Sequence, residues 1–527
     1  MLADITAADT GLGSWPRRRA RITPDRIALS LGTRTLTYAG LADRVSQLAS
    51  AWEASGVRRG DRIAYLGPND IPAFESLFAA ALLGAVFVPL NTRLSPREIE
   101  YMLSDAGVSV LVLAPTHHHI AATLGQVPDT VRQVLARDSA TCPLPCADYE
   151  QFLDGGDRAA SFPPVGLNDP CLILYTSGTT GTPKGAVLTH GNLTFNTLNQ
   201  LAHIDVLSTD RALGLAPMFH VTGLNQVILP TLFKGGTVNP VPQFDAAEVL
   251  ATIARESITS FSAVPTILQM LCEHPDWDRT DVSSLRYIVY GGSPVLERVA
   301  AAWLDRGVQL LQGYGMTEAA AGVYMAVADG AAEHPISVGF PHFYTDVAVA
   351  ENNNAAPMGP GRSGELLVRG PNVFAGYWNR EEATAGSFTE DGWFHTGDVV
   401  ATADDGWACV VDRVKDIIIS GGENIYPAEV EAVLARYPGV VSAAVVGVPD
   451  AKWGEVGAAF IVTSGDVDGD EKPVIDYLAE HLARYKIPKS FRFVSDIPRN
   501  ATGKIQRAQL REVAAADAPA AAPVHTR

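Results

Sequence analysis

Cysteine is scarce and unpaired: five residues in 527, at positions 142, 146, 171, 272 and 409. Cys142 and Cys146 stand four apart rather than as a Cys-x-x-Cys pair, so neither a disulfide framework nor a zinc site is expected. Long apolar runs are missing too. The longest, Phe78 to Leu90, has 13 residues, short of the ~20 that span a bilayer. Basic charge is in deficit, with 40 Lys and Arg against 58 Asp and Glu and a net charge of −18. That balance argues against general nucleic-acid binding, which wants a basic surface. No basic stretch followed by an apolar one opens the chain, so no signal peptide is expected. Gly-x-Ser-x-Gly, His-Glu-x-x-His and EF-hand patterns are absent as well. The plain expectation is a cytoplasmic protein with no integral membrane segment and no nucleic-acid partner.

What remains is an ordinary soluble composition, 47% apolar and 19% charged, in a chain too long for one core, since single cores stop growing near ~250–300 residues. From Arg26 to Leu113, strand-like runs (Ile27–Leu31, Ile63–Leu66, Val86–Leu90, Val108–Leu113) alternate with helical patterns (Tyr38–Ala54, Ile71–Leu83, Pro96–Ala106). The alternation recurs from 171 to 325. This is the pattern of βαβ units around largely parallel sheets. Residues 126–168 read as a loop-rich connection. A second region starts near Asp412 and mixes short strands and helices over about 100 residues, the size of a small α+β domain. The expected division is 1–411, 412–513 and a disordered Ala/Pro tail at 514–527. His117-His118-His119 reads as a solvated loop, and Arg17-Arg18-Arg19 with Arg21 as a solvated helix face.

Between Tyr175 and Gly185 the chain reads Tyr-Thr-Ser-Gly-Thr-Thr-Gly-Thr-Pro-Lys-Gly. Glycine lets the backbone turn its N–H groups inward, and hydroxyls and Lys184 add donors, so the loop suits a polyphosphate. It is not the Walker A pattern, because Pro183 stands where the second glycine belongs and Gly185 follows the lysine. Apolar runs also lead directly into turn-rich loops at Pro217–His220, Val264-Pro265, Gly291–Pro294 and Gln312–Glu318. Ligands bind beyond the carboxyl ends of parallel strands, so these loops can converge on one crevice. Gly359-Pro-Gly361-Arg-Ser-Gly364 matches GxGxxG but contains Pro360 and precedes a strand-like run; it reads as a turn.

The run at 175–185 resembles the phosphate loop of the adenylate-forming superfamily: acyl-CoA synthetases, adenylation domains and beetle luciferases. Further motifs extend the resemblance from about Leu36 to Arg507. It implies a large N-terminal domain of layered βαβ sheets and a small mobile C-terminal domain, with ATP, Mg²⁺ and CoA as cofactors. By that similarity Thr176, Ser177, Gly178, Thr179, Thr180 and Lys184 hold phosphates. Thr317 holds the α-phosphate, and Glu318, with Thr179 nearby, carries Mg²⁺. Gly291, Gly292, Ser293, Gln312, Gly313, Tyr314 and Gly315 surround the adenine. Asp398 and Arg413 hold the ribose. Lys504 bridges the substrate carboxylate and the α-phosphate, Lys415 is the pivot of the small domain, and Gly421 and Gly422 line the pantetheine channel.

The same resemblance makes His220 a gate beside the carboxylate and places Phe219, Thr222, Gly223 and Ala319 in the acid pocket. The small side chains at Gly223 and from Ala319 to Gly322 suggest room for a long or bulky acyl group. No acid stands at 219–223 to pair a substrate ammonium, unlike amino-acid-activating relatives. Hydroxycinnamate ligases tend to carry tyrosine where Thr222 stands, which counts against a phenolic acid. Similarity looks strongest to actinobacterial fatty-acyl-CoA ligases. The implied reaction is ATP-dependent formation of an acyl-AMP from a fatty or aryl acid, then a CoA thioester. Alternatives are another acceptor (a carrier protein or an amine), nitrite-dependent diazotisation of an aryl amine, and an inactive nucleotide-binding regulator. Homodimer formation is left open.

Overall fold

The computed structural model describes residues 9–176, 183–292, 295–331, 333–351, 354–420, 423–450, 452–464, 470–499 and 505–516. They fall into two compact units. The first comprises Met1–Ala348, Leu367–His395 and Asp405–Ala408, and the second Val349–Leu366, Thr396–Asp404 and Cys409–Arg527.

The first unit is built on two sheets. In the nine-stranded one, Ile27–Leu31, Thr237–Pro240, Arg211–Gly214, Ser260–Ala263, Tyr287–Gly291 and Gln309–Tyr314 lie side by side and parallel. In the eight-stranded one, Pro170–Thr176, Val86–Pro89, Arg62–Leu66, Val108–Leu113, Gln133–Ala136 and Ala147–Asp148 are parallel, and Lys184–Thr189 turns back along Pro170–Thr176. Both faces of each sheet are covered, so the strands alternate between two cores rather than between core and water. Tyr287 and Val289 join the layer between the sheets, while Ile288 and Tyr290 join the outer core under the helices Ala246–Glu256, Pro265–Cys272 and Glu297–Leu304. Likewise Ile63 and Tyr65 face inward, and Ala64 and Leu66 face Pro96–Ala106 and His118–Leu124. The helices Tyr38–Ala54, Ile71–Leu83 and His190–His203 fill the middle. The result is a helix–sheet–helix–sheet–helix stack.

The apolar run from Phe78 to Leu90 is the end of the fully buried helix Ile71–Leu83 followed by the strand Val86–Pro89. Gly84 makes the bend with φ +70, a left-handed conformation that glycine adopts without steric cost. The helix carries one charge inward. Glu75 is wholly buried and is met by the Arg44 guanidinium and by the Tyr149 hydroxyl, 2.7 Å from Oε2. A buried carboxylate needs such partners. Tyr149 comes from the stretch expected as connecting loop, which instead holds the strands Gln133–Ala136 and Ala147–Asp148 and the helix Tyr149–Asp154. These elements are too short to show a period.

Two further expectations are corrected. His118 is not in a solvated loop: it starts the helix His118–Leu124, is buried, and bonds Thr141 through Nδ1 at 3.1 Å. Two of the arginines of the helix Trp15–Ile22 are tied inward, Arg17 donating to Ala160 O at 2.7 Å and Arg19 to Phe233 O at 3.3 Å, while Arg18 and Arg21 are exposed as expected. Gly359–Gly364 is a turn into the strand Ser363–Arg369, as expected.

In the second unit, the antiparallel strands Val440–Asp450 and Gly454–Thr463 carry apolar residues on both faces. Val445, Ala459 and Ile461 pack on Pro427–Leu434 and Glu471–His481, while Ala444, Val446 and Phe460 pack with Leu510 of Arg507–Ala516. That last helix runs past Ala514, which is buried, so the chain is still helical where the tail was expected to start.

Candidate active site

The strands on either side of the phosphate-loop motif, Pro170–Thr176 and Lys184–Thr189, pair antiparallel as far as Thr176 and Lys184. Ser177, Gly178, Thr179 and Thr180 lie outside the described residues. Both ends of the loop are held. Before it, the Tyr175 hydroxyl donates to Asp105 Oδ2 at 2.8 Å; after it, the Tyr101 hydroxyl donates to Pro183 O at 3.2 Å. Asp105 also takes Arg380 Nη2 at 2.7 Å, and its carbonyl accepts the Trp378 indole N–H at 3.2 Å. Gly185 is needed for this packing, since a Cβ there would sit 2.7 Å from Ile173 Cγ2. Lys184 Nζ lies 5.4 Å from the centre of the Tyr377 ring, over its face.

The strands of the nine-stranded sheet end at the other loops. Gly291 pairs with Gly313, and a Cβ on Gly291 would meet Gly313 O at 2.6 Å. Gly292 has φ +90 and open space within 4 Å of where its Cβ would be, which suits close approach of a flat ring to the backbone. Ser293 lies outside the described residues. Gln312 is buried and accepts the Tyr290 hydroxyl at 3.2 Å. Beyond Tyr314, Thr317–Ala319 form a 3-10 turn. The Glu318 carboxylate accepts the Tyr377 hydroxyl at 2.9 Å through Oε1, and its backbone carbonyl accepts Phe374 N–H at 2.8 Å. Burial and then the Glu318 charge push the Tyr377 phenol far above its ordinary value, so it stays a hydrogen-bond donor.

The next residues are held in a tight reversal. Ala320 and Ala321 have φ +50 and +83, uncommon for residues other than glycine. Asn225 donates to Ala320 O at 3.0 Å, and Asn372 donates to Gly322 O at 2.7 Å and Ala319 O at 3.2 Å. Asn225 and Asn372 are fully buried, and such bonds are what permits buried amides. The small residues here have a reason other than acyl room. A Cβ on Gly315 would lie 2.1 Å from Ala321 O, and one on Gly322 would lie 2.2 Å from Asn196 Oδ1 and 2.9 Å from His342.

The same is true in the acid loop. Gly223 N donates to His220 O at 2.9 Å, and a Cβ on Gly223 would meet Pro217 O at 2.1 Å. Thr222 follows His220 on the short helix Val221–Asn225, and the His220 ring sits 4.7 Å from that of Phe219 at a steep angle. Asn69 anchors the loop, donating to Gly214 O and Ala216 O and accepting Met218 N–H, each at 2.9 Å. Ala319 is fully buried.

In the second unit, Arg413 Nε stands 3.1 Å from Oδ1 of the buried Asp398. That puts together the two residues expected at the ribose. Lys415 lies in the 3-10 turn Val414–Asp416. Gly421, Gly422 and Lys504 lie outside the described residues.

Sequence reading missed Tyr377, Asp105, Arg380, Asn69, Asn225 and Asn372. The signal that could have found some of them is the run Gly376-Tyr-Trp-Asn-Arg380, crowded with aromatic and polar groups. Among the described residues no group of three or more His, Cys, Asp or Glu is placed to hold a metal. A lone carboxylate such as Glu318 fits Mg²⁺, which takes one or two carboxylates with water and substrate phosphates.

Residues 16–378 match the family described as AMP-binding enzyme, and residues 429–504 the AMP-binding enzyme C-terminal domain. A feruloyl-CoA synthase of Amycolatopsis sp is 48% identical over 95% of this chain and 98% of its own length. The long-chain-fatty-acid–CoA ligase FadD13 of Mycobacterium tuberculosis is 38% identical over 96% and 99%. The structure of o-succinylbenzoate coenzyme A synthetase from Bacillus subtilis with ATP and magnesium ion aligns with TM-score 0.81 and 33% identity over 94% and 99%. The chain therefore belongs to the AMP-binding enzymes, and within them to the adenylate-forming acid–CoA ligases.

Proposed function

We propose that the acid is compact and aromatic, of the arylpropenoid type, rather than a long-chain fatty acid. The reaction class comes with family membership: a carboxylic acid and ATP give an acyl-AMP and pyrophosphate, and CoA then displaces AMP as a thioester. The observation that carries the finer reading is the filling of the space beside the small residues. Carbonyl oxygens and a buried amide crowd the Cβ positions of Gly223, Gly315 and Gly322, so the room expected for a long or bulky acyl group at Gly223 and Gly322 is taken and a compact acid fits better. The higher identity to the feruloyl-CoA synthase than to FadD13 points the same way. Thr222, where hydroxycinnamate ligases tend to carry tyrosine, then marks a different contact to the ring.

Activation brings two anions together, and charge builds at the α-phosphate as pyrophosphate leaves, so fixed donors and cations do most of the work. In this reading Thr176 to Thr180 and Lys184 hold the polyphosphate. Thr317 donates to the α-phosphate, and Glu318 is the carboxylate for Mg²⁺, which when bound offsets phosphate charge. Gly291 to Ser293 and Gln312 to Gly315 enclose the adenine, and Asp398 with Arg413 takes the ribose hydroxyls. Phe219, His220, Thr222, Gly223 and Ala319 frame the acid, and Lys504 brings its ammonium to the carboxylate. The unit carrying Lys504, expected from residue 412 onward, turns about Lys415 so that Gly421 and Gly422 admit the pantetheine arm. ATP and CoA as co-substrates favour a cytoplasmic site of action; among the described residues no helix is long and apolar enough to cross a membrane.

The test is an acid panel scored for pyrophosphate release with and without CoA, products read by mass spectrometry. Ferulate and 4-coumarate should exceed palmitate in kcat/KM by at least tenfold, with CoA-dependent AMP release. Palmitate as the better substrate overturns the aromatic reading. Pyrophosphate release without any CoA thioester returns the acceptor to the alternatives.

A further inference from the structure

We propose that Tyr377 is a positioning residue for the Mg²⁺–ATP site, its hydroxyl orienting the Glu318 carboxylate and its ring face holding Lys184. The inference rests on the reading of Glu318 and Lys184 given above, and adds the group that ties them together. The two come from different sheets: Lys184 opens the strand Lys184–Thr189 of the eight-stranded sheet, and Glu318 follows the strand Gln309–Tyr314 of the nine-stranded one. Tyr377 touches both. Its hydroxyl donates to Glu318 Oε1 at 2.9 Å, and Lys184 Nζ sits 5.4 Å above its ring centre.

The phenol is itself held on several sides. Its backbone pairs with Ala186 in the strand next to the hairpin, and its N–H donates to Thr384 Oγ1 at 2.9 Å. Its ring packs edge-on to Phe374 at 4.9 Å. Gly376 before it has φ +139, and a Cβ there would clash with Thr384 Cγ2 at 2.6 Å, so only glycine fits this entry. An immobile donor on one carboxylate oxygen fixes the plane of the carboxylate and leaves the other oxygen for a cation. Outer-shell partners of this kind commonly set metal affinity. The ring face, negative at its centre, holds the ammonium of Lys184 at the loop exit without neutralising it.

The experiment uses the full-length enzyme with Tyr377→Phe, Tyr377→Leu and Glu318→Gln. Binding is followed by electron paramagnetic resonance titration of Mn²⁺ in the presence of α,β-methylene-ATP, alongside steady-state kinetics. Tyr377→Phe should weaken Mn²⁺ binding about tenfold and raise the Mg²⁺ concentration for half-maximal rate to match, with kcat at saturating Mg²⁺ within about threefold. Tyr377→Leu, which also removes the ring, should in addition raise KM for ATP. In Glu318→Gln background, Tyr377→Phe should add less than twofold. If Glu318→Gln weakens Mn²⁺ binding and Tyr377→Phe does not, the inference fails while the metal reading stands. If Glu318→Gln leaves Mn²⁺ binding unchanged, the metal reading itself fails. A uniform loss of kcat and of all substrate affinities in Tyr377→Phe, with a lowered melting temperature, makes Tyr377 structural only and overturns the inference.

Discussion

His190 begins the helix His190–His203 with no exposure, and its Nδ1 accepts the backbone N–H of Leu12 at 3.0 Å. That bond requires the neutral ring. Burial lowers its pKa to about 4, against an opposing pull from Asp169 and a smaller push from Arg59. Unfolded, the imidazole titrates near ~6.5. Between those two values the unfolded chain binds more protons, so stability is complete above pH ~6.5 and declines as pH falls towards 4. The expected loss is about 3 kcal/mol over that range. Urea denaturation of wild type and His190→Gln at pH 7 and pH 4 isolates it: the wild type should lose that much more than the variant. Parallel profiles would exclude His190 as the source. Nothing about His190 in the sequence announces burial, because its neighbours Thr189 and Asn192 are polar and Gly191 has no side chain. The same holds for Asn225 and Asn372. Polar residues that serve backbone carbonyls far away in sequence look like surface, and only the assembled fold reveals their partners. Gly223 and Gly322 were misread in the other direction: a missing side chain signals close approach, without saying whether a ligand or the chain itself approaches.

Elements were far more legible. The helices Tyr38–Ala54, Ile71–Leu83 and Pro96–Ala106 and the strands Ile27–Leu31 and Val108–Leu113 stand where apolar spacing put them, because strands covered on both faces read as unbroken apolar runs. Elements of two to six residues between 126 and 168 were not legible, having no room for a period. What the elements do to one another was also hidden. Helix Pro96–Ala106 carries Tyr101 and Asp105 on one side and thereby grips both roots of the phosphate hairpin, the first through Asp105 and Tyr175, the second through Tyr101 and Pro183. Arg380 completes the clamp at 2.7 Å from Asp105. Asp105→Asn keeps the shape but removes the charge that both Tyr175 and Arg380 address. A charge-assisted hydrogen bond is worth ~1.5–3 kcal/mol, so KM for ATP should rise roughly tenfold, while KM for acid and for CoA stays within twofold. Initial-rate kinetics with each substrate varied in turn measure this. Equal rises for all three would mean general loosening rather than a misplaced loop.

At the scale of the whole chain, the proposed function asks the second unit to serve two half-reactions in turn. The residues flanking Lys415 are tied firmly within the second unit. Asp412 accepts Arg413 N–H at 2.7 Å and Ala428 N–H at 2.9 Å, and Asp416 meets Arg511 at 2.7 Å and Arg507 Nε at 3.7 Å. Arg507 in turn pairs with Glu431 at 2.6 Å. Both anchors belong to the same unit, so the pivot at Lys415 rests on the family resemblance; in the proposed alternation the change of φ and ψ is absorbed by the few residues of the turn Val414–Asp416. Proline at 415 fixes its φ near −65° and disfavours the helical region for the residue before it, so it should block one of the two states that the proposed alternation calls for. Lys415→Pro should leave acid-dependent pyrophosphate release within about threefold and lower CoA thioester formation at least tenfold. On the proposed reading Lys504→Ala should do the reverse, because it removes a charge donor that this reading assigns to adenylation alone, typically a loss of ~10²–10³ in rate. Single-turnover assays of pre-formed acyl-AMP with CoA, run beside pyrophosphate release, separate the two steps. If both variants depress both steps alike, Lys415 is no pivot, and the small domain serves one arrangement only.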